Sequence, residues 1–253
     1  MFSCTFARAE ILKDIVEVLK ESVREFEIVI TPEAMRVLTA FKNEVALFKL
    51  SLSRSCFAEY VLSAESASVG VKTAAVSKAL SCIADDETLT MTYDGKSNKM
   101  YFKGAASQIK TYERASSFEV QLMEIPPLDI IVSEQPTHDA IFCLDAKQFQ
   151  KECANLETFH DALELVVAPN QVLLQTASGG LITWPTPTVR LAEGLNSLSG
   201  TYDLKYINKF TKAVALCSTV QVGFSKNALL YLSYAVHGGG YLSLILAPKM
   251  NVK

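Results

Sequence analysis

An approximate internal duplication constrains this 253-residue chain more than any other feature of its sequence, because a repeat of about 130 residues obliges one fold to serve twice. Near the start, the alternating run FSCTF (2–6) leads into AEILKDIVEVLKESV (9–23), whose apolar residues recur at helical spacing. Near the middle, AIFCL (140–144) leads into DAKQFQKECANL (145–156) in the same way. Each helix precedes a strand, a proline-bearing turn and a second strand: EIVITPEAMRVLT (27–39) and LELVVAPNQVLLQT (163–176), with Pro32 and Pro169 lying 137 residues apart. Further on, TAAVSKALSCIADDETLTMTY (73–93) matches DLKYINKFTKAVALCSTVQVGF (203–224) as short helix, polar break and strand. The first and second helices start 64 residues apart in one half (9 to 73) and 58 in the other (145 to 203). Three coincidences in one order predict two similar domains, 1–120 and 140–253, joined by a connector, 121–139.

The connector, QLMEIPPLDIIVSEQPTHD, carries three prolines, which fix φ and remove ladder donors, so it reads as extended chain. Leu128, Ile130, Ile131 and Val132 make it too apolar for a solvated linker, so it is expected to lie on the protein. Elsewhere strands dominate: VALFKLSL (45–52), with Ala46, Phe48, Leu50 and Leu52 on one face, MYFK (100–103), LLYLSYAV (229–236) and YLSLILA (241–247). The HGGG stretch (237–240) reads as a hairpin turn, since glycine accepts positive φ. The fold class is α+β: antiparallel sheets with four helices on one side.

Composition excludes several classes. A chain 49% hydrophobic and 20% charged is not disordered. No apolar stretch reaches the roughly 18–20 residues a membrane span requires, and the opening MFSCTFARAEILKDIV meets charge too early for a secretory leader. No membrane partner is expected. Cys4, Cys56, Cys82, Cys143, Cys153 and Cys217 form no CxxC pair, which fits reduced thiols in a cytosolic or nuclear protein. His138, His160 and His237 sit in no HExxH or GxSxG setting, and glycines 238–240 lack the lysine of a phosphate loop. His160-Asp161 and Asp85-Asp86 read as turns or caps, and Cys153 and Cys217 as small buried side chains. No catalytic residue, metal or cofactor is expected.

The charges are more telling. With 24 basic and 27 acidic residues, net −3, the surface is no general magnet for nucleic acid, so any such contact requires local sorting of charge. Helix 9–23 buries Ile11, Leu12, Ile15, Val16, Leu19 and Val23 and turns Lys13, Glu17 and Lys20 outward. The second helix offers Lys78, the third Lys147 and Lys151, the fourth Lys205, Lys209 and Lys212. The last two set five lysines against Asp145, Glu152 and Asp203, while acids gather at Asp85, Asp86, Glu87, Glu119 and Glu124. Solvated helix faces are one reading. The other is a basic helix layer for a phosphate backbone, where lysines neutralise charge without reading bases.

The residues also carry a resemblance. The opening Met1, Phe2, Ile11 to Lys13, Leu19 and Lys20, the segment GVKTAAVSKALSC (70–82), LMEI (122–125), YINKFTKAVALCSTV (206–220) and LAPK (246–249) resemble the proliferating cell nuclear antigen family across essentially the whole chain. The resemblance implies a DNA clamp fold: two similar domains with two helices each, closing as a homotrimeric ring around duplex DNA, sequence-independently, and tethering replication and repair proteins. Carried over position by position, the DNA-binding residues are Lys13, Lys20, Lys78, Lys151, Lys205 and Lys212; Asp14 stands where relatives usually carry a lysine, and Ser81 and Ala154 stand at positions that are basic in relatives. The client surface becomes Ala40, Glu44, Val45, Leu47, Ile130, Ile131, Val132, Leu229, Ala247, Pro248, Lys249 and Met250, although core packing is an equal reading for each apolar member. DNA polymerase, clamp loader and other clients with short interaction peptides are the implied partners, and the nucleus or a viral replication compartment the implied location. Two alternatives share the residues: a subunit of a heterotrimeric checkpoint-type clamp, and a monomeric processivity factor that binds by charge without encircling. Segments 111–121 and 176–191 are the expected subunit edges, with Trp184 either at that junction or anchoring its own loop.

Overall fold

The computed structural model describes residues 1–41, 45–106, 115–126, 128, 130, 137–185, 189–225 and 229–249. Its element order repeats. The first half runs β1 (Phe2–Phe6), α1 (Glu10–Lys20), β2 (Glu25–Ile30), β3 (Ala34–Ala40), β4 (Ala46–Ser53), β5 (Glu59–Leu62), β6 (Ala67–Lys72), α2 (Thr73–Ser81), β7 (Thr88–Tyr93), β8 (Lys99–Ala105) and β9 (Ala115–Met123). The second runs β10 (Ala140–Asp145), α3 (Ala146–Glu157), β11 (Ala162–Ala168), β12 (Gln171–Gln175), β13 (Leu181–Pro185), β14 (Arg190–Leu191), β15 (Leu198–Asp203), α4 (Leu204–Phe210), β16 (Thr219–Phe224), β17 (Leu230–Val236) and β18 (Gly240–Leu246).

Topology repeats as well. In the first half the strands order as β5-β1-β7-β8-β9 and β4-β3-β2-β6; in the second, as β14-β10-β16-β17-β18 and β13-β12-β11-β15, so each strand has a counterpart in the same place. The chain divides into two compact units. One comprises Met1–Lys42, Phe48–Leu128 and Ala235–Leu242; the other Asn43–Leu47, Asp129–Tyr234 and Ser243–Lys253.

Alternation explains the strands. Phe2, Cys4 and Phe6 of β1, and Ala46, Phe48, Leu50 and Leu52 of β4, are all buried while their neighbours are half-exposed. In the first unit, Leu12, Ile15, Val16 and Leu19 of α1 and Val76 of α2 close over Phe26, Ile28, Met35, Val37, Leu50, Met91 and Phe102, leaving a void of only about 20 Å³. The second unit packs Phe149 of α3 and Ile207 of α4 over Phe142, Leu144, Leu163, Leu165, Leu174, Val222, Leu230 and Leu232 around about 10 Å³. Neither core has room for a small-molecule ligand.

The units cap their helices differently. In α3 and α4 the N-cap carboxylates of Asp145 and Asp203 accept from Gln148 N (2.8 Å) and Lys205 N (3.0 Å). At α1 the work falls to a loop: Ala9 N donates to Glu87 O (2.8 Å) and Glu10 N to Asp85 O (3.2 Å).

Three local expectations shift. α1 stops at Lys20 and not at Val23, and it buries Val18 where Ile11 is only half-buried. The fourth helix is α-helical only to Phe210 and tightens into a 3₁₀ turn over Thr211–Ala215. Thr211 explains the change: buried at 1% exposure, it turns its hydroxyl back onto Asn208 O at 2.8 Å. Finally, β9 continues through Met123 because Gly70 and Val71 of β6 pair with Met123 and Leu122. The glycine turn stands as expected, with Gly238 and Gly239 at φ +89° and +95° between β17 and β18. Ser53 Oγ donates to Gly238 O at 3.1 Å, which fixes the hairpin tip within the first unit.

Candidate nucleic-acid interface

The helices bring the basic residues to the surface, in two different electrostatic states. On α1, Lys13 is only 21% exposed; its Nζ donates to Ile83 O and pairs with Asp85 Oδ1 at 2.5 Å. Lys20 pairs with Glu17 one turn earlier at 2.5 Å. Both lysines line a groove of about 230 Å³ with Glu17, Ser77 and Ser81, floored by Val16 and Leu80. Asp14 is half-buried nearby, and burial, then the charges of Glu10, Asp85 and Glu17, hold its carboxyl above the usual carboxylate range against the pull of Lys13.

Lys78, Lys151 and Lys205 are exposed and make no ion pair among the described residues. Lys212 is exposed on the 3₁₀ turn after α4. Lys147, which the resemblance does not carry over, is exposed on α3 four residues before Lys151, and that spacing is the signal that marks it as sharing a face. Amides tie the two helices: Gln150 Nε2 donates to Thr211 O (3.2 Å) and Asn208 Nδ2 to Cys153 O (3.3 Å).

Of the expected client surface, Glu44, Ile131, Val132 and Met250 lie outside the described residues. Ala40 ends β3 in the first unit, half-buried. Leu47, Ile130, Leu229, Ala247 and Pro248 are half-buried and Val45 is 38% exposed. Val45 and Ala247 come together, Ala247 N donating to Val45 O at 3.0 Å. Lys249 turns elsewhere: its amide donates to Thr201 O (2.7 Å) and its Nζ meets Asp161 Oδ2 (2.9 Å), beside His160. Lys249, then His160, hold the Asp161 carboxyl below its ordinary range.

Strand edges complete the picture. β9 pairs along its length with β8, while β6 meets it only at Leu122 and Met123, so residues 115–121 keep one edge unpaired among the described residues. Among the described residues β13 pairs only with β12, and Pro185 at its end suits an edge, having no amide to donate. Trp184 lies on this strand, half-buried. Leu181, which opens this strand, is 60% exposed, and Phe159, which lies near Gly180, is 57% exposed.

Two family models, described as the N-terminal and C-terminal domains of proliferating cell nuclear antigen, match residues 1–128 and 187–249. The proliferating cell nuclear antigen of Caenorhabditis elegans is 28% identical to this chain over 265 residues, covering 99% of the chain and 98% of that protein. The matches, the repeated βα topology and the four surface helices have one explanation: this chain belongs to the proliferating cell nuclear antigen family, whose members are DNA sliding clamps and not enzymes.

Proposed function

We propose that the chain closes as a homotrimeric ring on duplex DNA in the nucleus and tethers a polymerase and other replication and repair proteins, seated on the ring by a clamp loader. One observation carries this reading: among the described residues each half presents an unpaired strand edge, β9 over 115–121 and β13 over 181–185. The competing edges are poorer templates. β5 and β14 are four and two residues long, and β15 already receives the Lys249 amide. An exposed edge invites another chain, and joining two different edges head to tail closes a ring when the rotation permits. Exposed helix lysines supply a sequence-independent contact to phosphate. The half-buried apolar residues Leu47, Ile130, Leu229 and Ala247, with Val45, fit an aliphatic or aromatic plug from a client peptide.

The test is the mass in solution of the chain alone, by light scattering. Three times 27.7 kDa is expected, together with retention on circular but not linearised DNA after loading. A chain that stays monomeric until other clamp subunits are added points to a heterotrimer. A chain washed from circles and linear DNA alike by salt is a charge-only binder.

A further inference from the structure

The connector rejoins the second unit at a notch in its sheet. β10, β16 and β17 carry Ile141, Gly223 and Tyr231 in one cross-strand row, Ile141 pairing with Gly223 and Gly223 with Tyr231. Partners in such a row point to the same face, so the glycine leaves a gap between two half-buried side chains. The ring of His138 fills it. A Cβ placed on Gly223 would lie 2.5 Å from His138 Cε1, 2.6 Å from Nδ1 and 2.7 Å from Nε2. Tyr231 meets the imidazole edge to face, with ring centroids 4.7 Å apart. Backbone bonds fasten the next residue: Asp139 N donates to Phe224 O at 2.9 Å, and Asp139 O accepts from Ala192 N at 2.7 Å.

This seat suits a neutral ring and not a charged one. His138 Nδ1 is buried and has no hydrogen-bond partner among the described residues. Both nitrogens of an imidazolium are donors, so protonation in place would leave a charged N–H without an acceptor. Burial accordingly holds the imidazole below its ordinary value, and the charge of Asp139 only partly offsets this. The other titratable or charged groups around the notch, among the described residues, give an imidazolium no support. Burial raises the Tyr231 phenol, which stays neutral, and Arg190 ends the row beyond Ile141 with a positive charge. The segments that meet here also carry client-surface residues: Ile130 lies in the connector, and Leu229 stands two residues before Tyr231. Resting on the client-groove reading above, we propose that His138 is a positioning residue: its neutral ring pins the end of the connector to the sheet and so keeps the groove in shape, and protonation releases both. An imidazole that binds fewer protons when seated favours the seated state fully above its ordinary value, and loses that preference as pH falls through the lowered one.

The experiment titrates the full chain with a labelled peptide that has aliphatic and aromatic anchors and no histidine, at pH 7.5 and at pH 5.5. Affinity of the parent chain is expected to fall at least about threefold at the lower pH. His138→Phe keeps an aromatic ring and removes the titration, so its affinity should be the same at both values. In Gly223→Ala the new Cβ displaces only the end of a side chain, so the sheet survives; binding should already be weak at pH 7.5 and change little on acidification. Hydrogen exchange gives a readout that needs no peptide. Protection of the Asp139 and Ala192 amides, corrected for intrinsic pH dependence, should fall over the same interval in the parent and hold constant in His138→Phe. A flat affinity profile in the parent, an equal pH dependence in His138→Phe, or constant amide protection in the parent overturns the proposal. A peptide that binds the parent with a flat profile sinks only this inference; a peptide that does not bind the parent at pH 7.5 sinks the client-groove reading and this one with it.

Discussion

Asp14 shows how one side chain reports on its surroundings. Its carboxyl is half-buried on α1 among Glu10, Glu17 and Asp85, so burial first and like charge second favour the protonated form. A carboxyl whose folded pKa exceeds its unfolded value binds more protons in the folded state. Stability therefore rises as pH falls through the raised value and levels off below the ordinary carboxylate range. Asp14→Asn is expected to raise the melting temperature at neutral pH, with the advantage shrinking as pH falls through that window; an equal or lower melting temperature at pH 7 contradicts this account. The thiols differ by location in the same way. Burial pushes Cys4 and Cys153 up, out of reach of easy ionisation, while Cys82 and Cys143 are exposed.

Within the elements, the critical point is the joint between β6 and β9. A Cβ placed on Gly70 lies 2.3 Å from Met123 O and 2.8 Å from Ile125 Cγ1, and the backbone oxygen cannot step aside as a flexible side-chain end would. Gly70→Ala is expected to cost about 1–3 kcal/mol, toward the upper end because backbone must move. Chemical denaturation should show a lower midpoint with an unchanged slope. An unchanged midpoint removes the case for close approach at this position. The helices of the second unit, with Asp145 and Asp203 as caps, are locally specified; α1 instead depends on the loop at 85–87 and thus on a segment far along the chain.

For the whole molecule, the weight falls on strand edges and the apolar surface beside them. A Cβ added to Gly180 would meet Leu156 and Phe159, so both lie against the residue that precedes exposed Leu181 at the start of edge strand β13. Burying one phenylalanine is worth about 1.5–3 kcal/mol, so Phe159→Asp is expected to weaken self-association at least about tenfold. The melting temperature of the separated monomer should hardly change, because the residue is 57% exposed within its own chain. Sedimentation across a concentration series checks this; undiminished association places the subunit contact away from β13.

The fold was legible because its determinants are local and periodic. Alternation in FSCTF and ALFKLSL, helical spacing in EILKDIVEVLK and the glycine turn at 238–239 are written in neighbouring residues, and the repeat writes them twice. The roster of surface lysines was legible for the same reason. Which of them remain free was settled by tertiary structure, since Lys13 finds Asp85 across 72 residues of sequence and Asn208 reaches Glu157 from another helix. Likewise the shortening of the fourth helix follows from burial of Thr211, and the open edges of β9 and β13 from which strands run out of partners. Periodicity fixes which way a side chain faces, but charge pairing and edge exposure depend on what the folded chain places opposite, and no local pattern encodes that distance.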